Sequence, residues 1–321
     1  MTRVLVTGAG GAAGISVVRA LLASEVTTVA GDPDPLAAGR HLSAEQVALP
    51  YATDDAFPDA VVAAAAAAGV DALICTVAEE MPGLSRVAGE LERAGTSVWL
   101  PPVDAVLTCI DKEQFAVTTE RAGLPVPAWS TESADGVPGP WVVKPRFGRG
   151  SRSVHLVDDA LDLPTALRLT PDPIVQTRCE GREFTVDALV DRDGEVLGIV
   201  PRWRLETKSG ISTKGETFSD ERVSEVVRAT VDAVGLQGAC NLQGFVDDET
   251  GTVWLLEVNP RFSGGLPLSL AAGADLVGEY LRGTLGLPMR PERLSYRDGV
   301  VMTRYFSEVF LEPPPSGPAG P

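Results

Sequence analysis

The chain has 321 residues, a length that fits two or three domains of ordinary size, and its 44% hydrophobic content is typical of a globular protein. Its formal net charge of −17 argues against general nucleic-acid binding, because the phosphate backbone repels an acidic surface. Two histidines argue against a histidine-rich zinc site, four scattered cysteines indicate reduced thiols in a cytoplasmic protein, and apolar runs shorter than ~20 residues argue against a membrane span.

The first hundred residues alternate between two patterns. Apolar, β-branched runs predict strands over 3–8, 26–32, 70–77 and 97–102. Helical spacing predicts helices over 12–24, 59–69 and 82–94, with Gly69 as the residue that ends the second of them. Such alternation is typical of a doubly wound parallel sheet.

The remainder of the chain has a different organisation, in which strands dominate. A helical stretch over 103–123 is followed by predicted strands over 139–145, 151–158, 173–179, 182–190 and 195–206, with a short helix over 163–169. A helix over 220–234, a hairpin of strands over 240–247 and 252–259, and one helix over 265–283 complete the pattern. The Pro/Gly-rich tail over 312–321 is predicted to be disordered.

The segment "NLQGFVDDETGTVWLLEVNPRFSGG" is the most informative one. If the hairpin is centred on Thr250, Gln243 lies directly opposite Glu257, and Asn259 shares the face of Glu257. Oxygen-bearing side chains that converge beside Arg261 suit Mg²⁺, which borrows its other ligands from water and phosphate. The alternative is a solvated hairpin face, but a carboxylate in so apolar a strand is costly without a function.

Two lysines and a glycine-rich loop suggest phosphate binding. Lys144 ends the apolar strand of "WVVKPRFGRGSRSV", and the loop that follows can fold its N–H groups over a phosphate. Lys112 lies in the first turn of a helix, where a cation is unfavourable unless an anion is present. The alternative for Lys144 is an exposed lysine beside a basic surface turn.

A third segment, "IVQTRCEGREFTVD", suggests a nucleoside contact. A strand edge from Gln176 to Cys179 would offer backbone donors and acceptors to an adenine, and Glu183 would accept hydrogen bonds from ribose hydroxyls. The alternative reading of Glu183 is an ordinary edge-strand glutamate.

Taken in order, these features resemble the ATP-grasp superfamily, and within it the carbamoyl-phosphate-synthase-like carboxylate–amine ligases. "LLEVNPR" with its upstream glutamine is the specific part of the resemblance, which covers about residues 1–310. It implies an α/β and α+β fold in which a Rossmann-like pre-ATP-grasp domain precedes the two α+β lobes of an ATP-grasp fold. The implied domains are 1–108 for the first, 109–180 for the central lobe with its glycine-rich flap, 181–311 for the C-terminal lobe with the metal site, and 312–321 for the tail.

The resemblance also implies roles for individual residues. Lys112 and Lys144 would contact ATP phosphates under a mobile flap over 148–151. The residues implied to contact ATP through the flap and the adenine hinge are Gly148, Gly150, Ser151, Gln176, Thr177, Arg178 and Cys179, with Glu183 at the ribose. Gln243, Glu257 and Asn259 would hold one or two Mg²⁺, with Mn²⁺ as the alternative ion. Related enzymes are commonly dimers, so a homodimer is expected.

The implied reaction is ligation of a small carboxylate, such as an amino acid or peptide, to an amine through an acyl phosphate. Arg261 is predicted to stabilise the transferred phosphoryl group. The cationic stretch "PRWRLETKSGISTKG" supplies Arg202, Arg204, Lys208 and Lys214 as candidates to bind the acceptor carboxylate or to cover the phosphates. Arg204 and Lys208 are further catalytic candidates, and the alternative is a solvated basic strand and loop. The chain has no recognisable set of residues for hydrolysing glutamine, so any ammonia would come from elsewhere.

Two other functions compete with the ligase. The glycine-rich turn "TGAGGAAG" over 7–14, with Asp32 at the end of the second strand, has the form of an NAD(P) site in a reductase or epimerase. The tyrosines lack a lysine four residues on, so a short-chain reductase would have no base. The second alternative is a non-catalytic, ATP-binding regulatory protein; the three predicted metal ligands argue against it. We therefore interpret 7–14 as part of the fold, with a helix N-terminus that faces the cleft.

Overall fold

The computed structural model describes residues 1–148, 150 and 152–311. Its N-terminal part is a parallel sheet in the order β3-β2-β1-β4-β5. The strands are β1 (Arg3–Thr7), β2 (Thr27–Asp32), β3 (Glu45–Ala48), β4 (Ala72–Cys75) and β5 (Ser97–Val98). The sheet changes direction between β1 and β4, and in parallel α/β sheets ligands bind beside such a point, at the carboxyl ends of the strands.

Four helices accompany this sheet: α1 (Ala12–Leu22), α2 (Ala38–Leu42), α3 (Phe57–Ala68) and α4 (Met81–Arg93). Helix α3 ends at Gly69, which has φ of 58° and is therefore left-handed, as the sequence predicts. The doubly wound parallel sheet is confirmed.

The predicted helix over 103–123 is two helices, α5 (Val103–Ile110) and α6 (Lys112–Arg121). Asp111 between them is extended, with φ of −95° and ψ of 107°, and its carboxylate accepts hydrogen bonds from the N–H groups of Glu113 and Gln114. The aspartate thus ends one helix and caps the next. The proposed domain boundary at 108/109 falls inside α5, and the domain limits remain a prediction.

A small antiparallel sheet follows, in the order β6-β9-β7-β8. Its elements are β6 (Trp129–Ser130), β7 (Trp141–Pro145), β8 (His155–Val157), helix α7 (Leu163–Leu169) and β9 (Pro173–Thr177). Strand β9 lies inside the sheet, between β6 and β7.

The last part of the chain is built on a larger antiparallel sheet in the order β14-β13-β10-β11-β12-β15. Its elements are β10 (Arg182–Val190), β11 (Val196–Lys208), β12 (Ile211–Thr217), helix α8 (Glu221–Val234), β13 (Gly238–Val246), β14 (Val253–Asn259), helices α9 (Leu266–Ala272) and α10 (Leu276–Thr284), and β15 (Val301–Thr303). Helix α8 covers one face through Val223, Val227 and Val231. The other face carries the polar side chains described below.

The prediction of a single helix over 265–283 is wrong, because the chain forms two helices there, α9 and α10. Gly273, with φ of 121°, ends α9, and the Asp275 carboxylate accepts a hydrogen bond from Gly278 N at the start of α10. In the described residues no helix has both the length and the apolar character needed to cross a membrane.

The parallel sheet and the larger antiparallel sheet share one hydrophobic core. Val4 and Val6 of β1 belong to the same buried cluster as Val277 and Tyr280 of α10. The Tyr280 ring stacks on Trp99 with centroids 5.1 Å apart. This packing brings the carboxyl edge of the parallel sheet against the polar face of the larger sheet, where a cleft opens.

Candidate active site

The cleft is formed by four separated segments of the chain. They are the turn after β4, the junction of α5 and α6, the glycine-rich loop, and the end of β14 with the residues that follow it. The residues that line it are Ala78, Glu79, Cys109, Ile110, Lys112, Gly148, Glu257, Val258, Asn259, Pro260 and Arg261. Five of the predicted site residues therefore line one cleft: Lys112, Gly148, Glu257, Asn259 and Arg261.

The hairpin of β13 and β14 has the predicted register at its functional end. Gln243 pairs with Glu257, and Asn241 pairs with Asn259. The register shifts after Gln243, so the rest of the hairpin pairs one residue out of step with the prediction. Asn259 Nδ2 lies 3.4 Å from Glu257 Oε1, and Arg261 Nη2 donates to Asn259 Oδ1 at 2.8 Å.

These side chains form a set of hard oxygen donors. Within the described residues no group of three or more His, Cys, Asp or Glu could hold a metal, so a cation site here depends on one carboxylate and the amide oxygens. A weakly charged oxygen set of this kind fits Mg²⁺, which binds through one or two carboxylates, waters and substrate phosphates. Gln243 Oε1 also accepts a hydrogen bond from Arg204 Nη1 at 2.8 Å, which leaves it one lone pair for a cation.

The two predicted phosphate-binding lysines are close to Glu257. Burial, together with a smaller effect of the positive charge of Lys112, lowers the pKa of Lys144 to about 8 against the opposing effect of Glu257. Burial also lowers the pKa of Lys112, again against Glu257. Both ammonium groups are therefore nearly dehydrated and adjacent to one carboxylate. A polyanion bound here would offset the cost of their burial.

Lys112 also connects α6 to the glycine-rich loop. Its Nζ donates to the Gly148 carbonyl at 3.0 Å, and its backbone N–H donates to the Arg146 carbonyl at 3.2 Å. Gly148 has φ of 141° and Gly150 has φ of 69°, values that favour glycine. Ser151, the third predicted flap residue, lies outside the described residues.

A pair that the sequence analysis did not identify holds this arrangement together. Arg146 Nε donates to Asp111 Oδ1 at 2.7 Å, Arg146 Nη2 donates to Asp111 Oδ2 at 2.5 Å, and Arg146 also pairs with Glu113. Burial raises the pKa of Asp111, but its hydrogen bonds with Arg146 outweigh this and keep the pKa below the ordinary value. The signal was present in "DKEQ", whose aspartate and glutamine have capping-box spacing.

Replacement of Asp111 with alanine should lower the free energy of unfolding by about 1–2 kcal/mol, because it removes the cap of α6 and a partner of Arg146. Urea unfolding followed by circular dichroism at neutral pH measures this change. Asp104→Ala, in the exposed first turn of α5, is the control and should change the stability by much less. Equal stabilities of the two variants would contradict the role of Asp111.

The expected open strand edge at the adenine hinge is not present over 176–178. Strand β9 is interior, so Gln176 pairs with both β6 and β7 and its side chain is buried. The N–H groups of Thr177 and Arg178 donate to the carbonyls of Ala128 and Pro140. The Arg178 guanidinium pairs with Asp158 at 2.8 Å.

Cys179, the last residue of the predicted hinge, lies close enough to Lys144 for the positive charge of Lys144 to act on its thiol. Burial raises its pKa to about 11, against the charge of Lys144. Cysteines 75, 109 and 240 are free and buried, as expected. An adenine contact at the hinge therefore stays a prediction that is restricted to the backbone from Cys179 onward.

Arg204 forms hydrogen bonds with both Glu183 and Gln243, and so connects Glu183 to the predicted metal site. Arg204 Nη1 lies 2.8 Å from both Glu183 Oε1 and Gln243 Oε1, and its Nη2 donates to the Gly210 carbonyl at 2.9 Å. Burial raises the pKa of Glu183, Arg204 opposes this, and the charge of Glu257 adds to it. Arg204 thus links the predicted ribose carboxylate to the predicted metal amide.

The rest of the cationic stretch is placed differently from the expectation. Arg202 is 1% exposed, and it pairs with Asp187 at 2.9 Å and donates to Ser263 at 3.0 Å. It therefore stabilises the loop after Arg261 and does not contact a substrate. Lys214 pairs with Glu206 at 2.7 Å. Lys208 is exposed at the end of β11, where its charge acts on Glu206, and its predicted catalytic role rests on sequence alone.

The N-terminal glycine turn forms a hydrogen bond with the carboxylate of Asp32. Gly10 N donates to Asp32 Oδ2 at 2.7 Å, and Asp34 N donates to Asp32 Oδ1 at 3.0 Å. The acid expected to bind a ribose in the NAD(P) reading is therefore engaged with the turn itself. This contact favours the interpretation of 7–14 as an element of the fold.

Comparison with known sequences finds related proteins. Residues 170–306 match a family model described as ATP-grasp in the biosynthetic pathway with Ter operon. The large chain of carbamoyl phosphate synthase from Vibrio cholerae is 29% identical over 215 residues, which cover 60% of this chain and 20% of the relative. The match therefore spans about a fifth of the length of that curated relative.

Comparison with solved structures finds the same fold. The biotin carboxylase domain dimer of 2-oxoglutarate carboxylase from Hydrogenobacter thermophilus, in complex with MgADP, ADP and bicarbonate, has a TM-score of 0.72 and 18% identity over 92% of this chain and 72% of its own. The L-amino acid ligase from Bacillus licheniformis has a TM-score of 0.69 and 19% identity over 93% of this chain and 78% of its own. The resemblance and the fold class predicted from the motifs are confirmed by these matches.

Proposed function

We propose that this chain, an ATP-grasp protein, is an ADP-forming ligase that activates a small carboxylate as an acyl phosphate and couples it to an amine. The observation that supports the proposal is that Lys112 and Arg261 line one cleft together with Glu257 and Asn259. Gln243 pairs with Glu257 across the hairpin, and the charge of Glu257 acts on Lys144. Buried cations beside hard oxygen donors suit a nucleoside triphosphate with its Mg²⁺.

The residues support a two-step reaction. In the first step an oxygen of the substrate carboxylate attacks the γ-phosphorus of ATP, the bond to the bridging β,γ-oxygen breaks, and ADP leaves. Lys144 and Lys112 neutralise charge on the phosphates, and Arg261, held by Asn259, faces the transferred group. Mg²⁺ bound by Gln243, Glu257 and Asn259 would supply further charge neutralisation on the phosphates.

In the second step the neutral amine attacks the acyl carbon, the carbon–nitrogen bond forms, and the bond between the acyl carbon and the phosphate oxygen breaks. Inorganic phosphate leaves and takes up the proton that the nitrogen loses. The chain's contribution is positioning and charge stabilisation, since the substrates carry the covalent chemistry. Amino acids or peptides are the proposed carboxylates, and ammonia, an amino acid or another amine is the nucleophile. Related structures include a dimer, and we propose the same for this chain.

Thermal unfolding separates the ligase from the reductase. MgATP at about 100 times its dissociation constant should raise the midpoint by roughly 4 °C, because a ligand at that concentration stabilises a chain of this size by about 2.7 kcal/mol. NAD(P)H should leave the midpoint unchanged. Stabilisation by NAD(P)H and not by MgATP would overturn the proposal.

An assay of ATP turnover distinguishes a ligase from a non-catalytic regulatory protein. Wild-type chain with MgATP should release ADP and phosphate only when amino acids or short peptides are added. ATP binding without turnover in any such mixture would favour the regulatory alternative. The same assay, divided into single candidates, identifies the substrates.

A further inference from the structure

The end of the described chain concentrates exposed aromatic side chains. Tyr305 is 83% exposed, Phe306 is 90% exposed and Phe310 is 89% exposed. In the part of the chain that the structure describes, the only other large hydrophobic side chains exposed to this extent are Met1 and Leu161, which stand alone. Single exposed apolar side chains are ordinary on a protein surface, but three so close together indicate a contact surface.

These aromatic residues directly follow an open sheet edge. Strand β15 is the outermost strand of the larger sheet, in which it pairs with β12. The N–H group of Arg304 donates to β12, and the carbonyl of Val300 accepts from β12. Because bonding directions alternate along an antiparallel strand, the backbone groups of Val301 and Thr303 point away from β12, and both residues are exposed. An edge of this kind is a template for pairing with another chain.

The charges of this segment are self-complementary. When "MTRYFSEVF", residues 302–310, is laid antiparallel to a second copy about Phe306, Arg304 of each copy faces Glu308 of the other. Met302 then faces Phe310, so that the apolar side chains also oppose each other. An axis one residue to either side would place each of these charges opposite an apolar side chain. The segment therefore favours a second copy of itself, in one register.

Arg304 lacks a counter-charge within its own chain. Its Nε and Nη2 donate to the carbonyls of Ser212 and Gly264, and no carboxylate of the described residues forms an ion pair with it. Burial lowers the pKa of Arg304, and the positive charges of Arg202 and Arg19 act in the same direction. A carboxylate from a second copy would supply the missing negative charge.

We propose that two copies of this chain form a dimer by antiparallel pairing of their segments 301–311, with the twofold axis at Phe306. In this register the outward backbone groups of the odd-numbered residues bond to one another, and the two larger sheets become continuous. Phe306 faces its own copy in a pair without backbone hydrogen bonds, where opposing side chains are closest. The inference places the interface of the dimer proposed above and does not depend on the ligase reaction.

Sedimentation equilibrium of the full chain tests the charge pairing. Glu308→Arg should raise the dimer dissociation constant on the order of 10²-fold, because two attractive pairs become two repulsive ones. Adding Arg304→Glu to this variant should restore most of the affinity. Glu249→Arg, the same change in the exposed turn between β13 and β14, should dimerise as wild type. Phe306→Ala should also raise the dissociation constant on the order of 10²-fold, since an aromatic side chain leaves the centre of the interface twice.

Disulfide formation tests the position of the axis. Phe306→Cys should form a covalent dimer under mild oxidation, because the Cα atoms of such a pair lie within the span of a disulfide. Leu161→Cys, at an equally exposed position, is the control, and the wild-type chain with its own four cysteines gives the background.

Three results would overturn the interface. They are dissociation constants of Glu308→Arg and Phe306→Ala equal to that of wild type, a folded charge-swap variant that stays monomeric, and crosslinking of Phe306→Cys no faster than that of Leu161→Cys. A wild-type chain that is monomeric at micromolar concentration would overturn the interface and the dimer together. The exposed aromatic residues would then belong to a contact with a different protein, and the proposed reaction would be unaffected.

Discussion

Replacement of Glu257 with glutamine is expected to lower the rate of carboxylate-dependent ADP formation by a factor of about 10²–10³, the range observed when one preorganised electrostatic partner is removed. Glu257 is the one carboxylate among the three predicted metal ligands, and it faces Gln243 across the hairpin. Glutamine keeps the shape and one oxygen but removes the charge that both lysines experience. Steady-state ADP formation at several Mg²⁺ concentrations measures the effect.

The substitution should leave the fold intact, since Glu257 is half-buried and contacts the cleft instead of the core. Thermal unfolding of the free protein checks this. The control is Glu249→Gln, the same change in the exposed turn of the same hairpin, which should retain wild-type activity. If Glu257→Gln turned over ATP as fast as this control, the metal site would have to be placed elsewhere.

The site was predictable where a local rule fixes the geometry. Side chains alternate along a strand and pair across a tight hairpin, so the spacing of Gln243 and Glu257 was sufficient to place them opposite each other. The face that they share with Asn259 follows from the same rule. The approach of Lys144 to Glu257 depends on contacts between separate sheets, and only the resemblance to a family predicted it.

The sequence-based prediction of secondary structure failed where the pairing of distant strands, or the backbone conformation of a single residue, determines the structure. Residues 176–178 have the pattern of a strand, but sequence does not show that β6 pairs with β9 and removes its free edge. Helical spacing continues through Asp111 and Gly273, although the first is extended and the second has a positive φ. The strands β12 and β15 were not recognised because β12 is rich in Gly, Ser, Thr and Lys and β15 has three residues.

The clearest pH dependence should come from Lys144. Its pKa is about 8 because it is buried, so its positive charge is lost as the pH rises through 8. Bound triphosphate should raise that pKa again, since a neighbouring negative charge favours the ammonium form. Affinity for MgATP should therefore fall by up to about tenfold per pH unit above 8, and binding near pH 8.5 should take up protons. Calorimetric titrations between pH 7 and 9.5, in buffers that differ in ionisation enthalpy, measure both quantities.

The stability of the free protein should change in the opposite direction. The unfolded chain keeps a lysine pKa of about 10.4, so between pH 8 and that value it binds more protons than the folded chain, and folding gains stability as the pH rises. Lys144→Met should remove both effects: the free protein becomes more stable at neutral pH, while MgATP binds weakly and without this pH dependence. Arg121→Met, which removes an exposed cation at the end of α6, should change neither. Wild-type affinity that stayed constant up to pH 9.5 would show that Lys144 does not contact the phosphates as an ammonium ion.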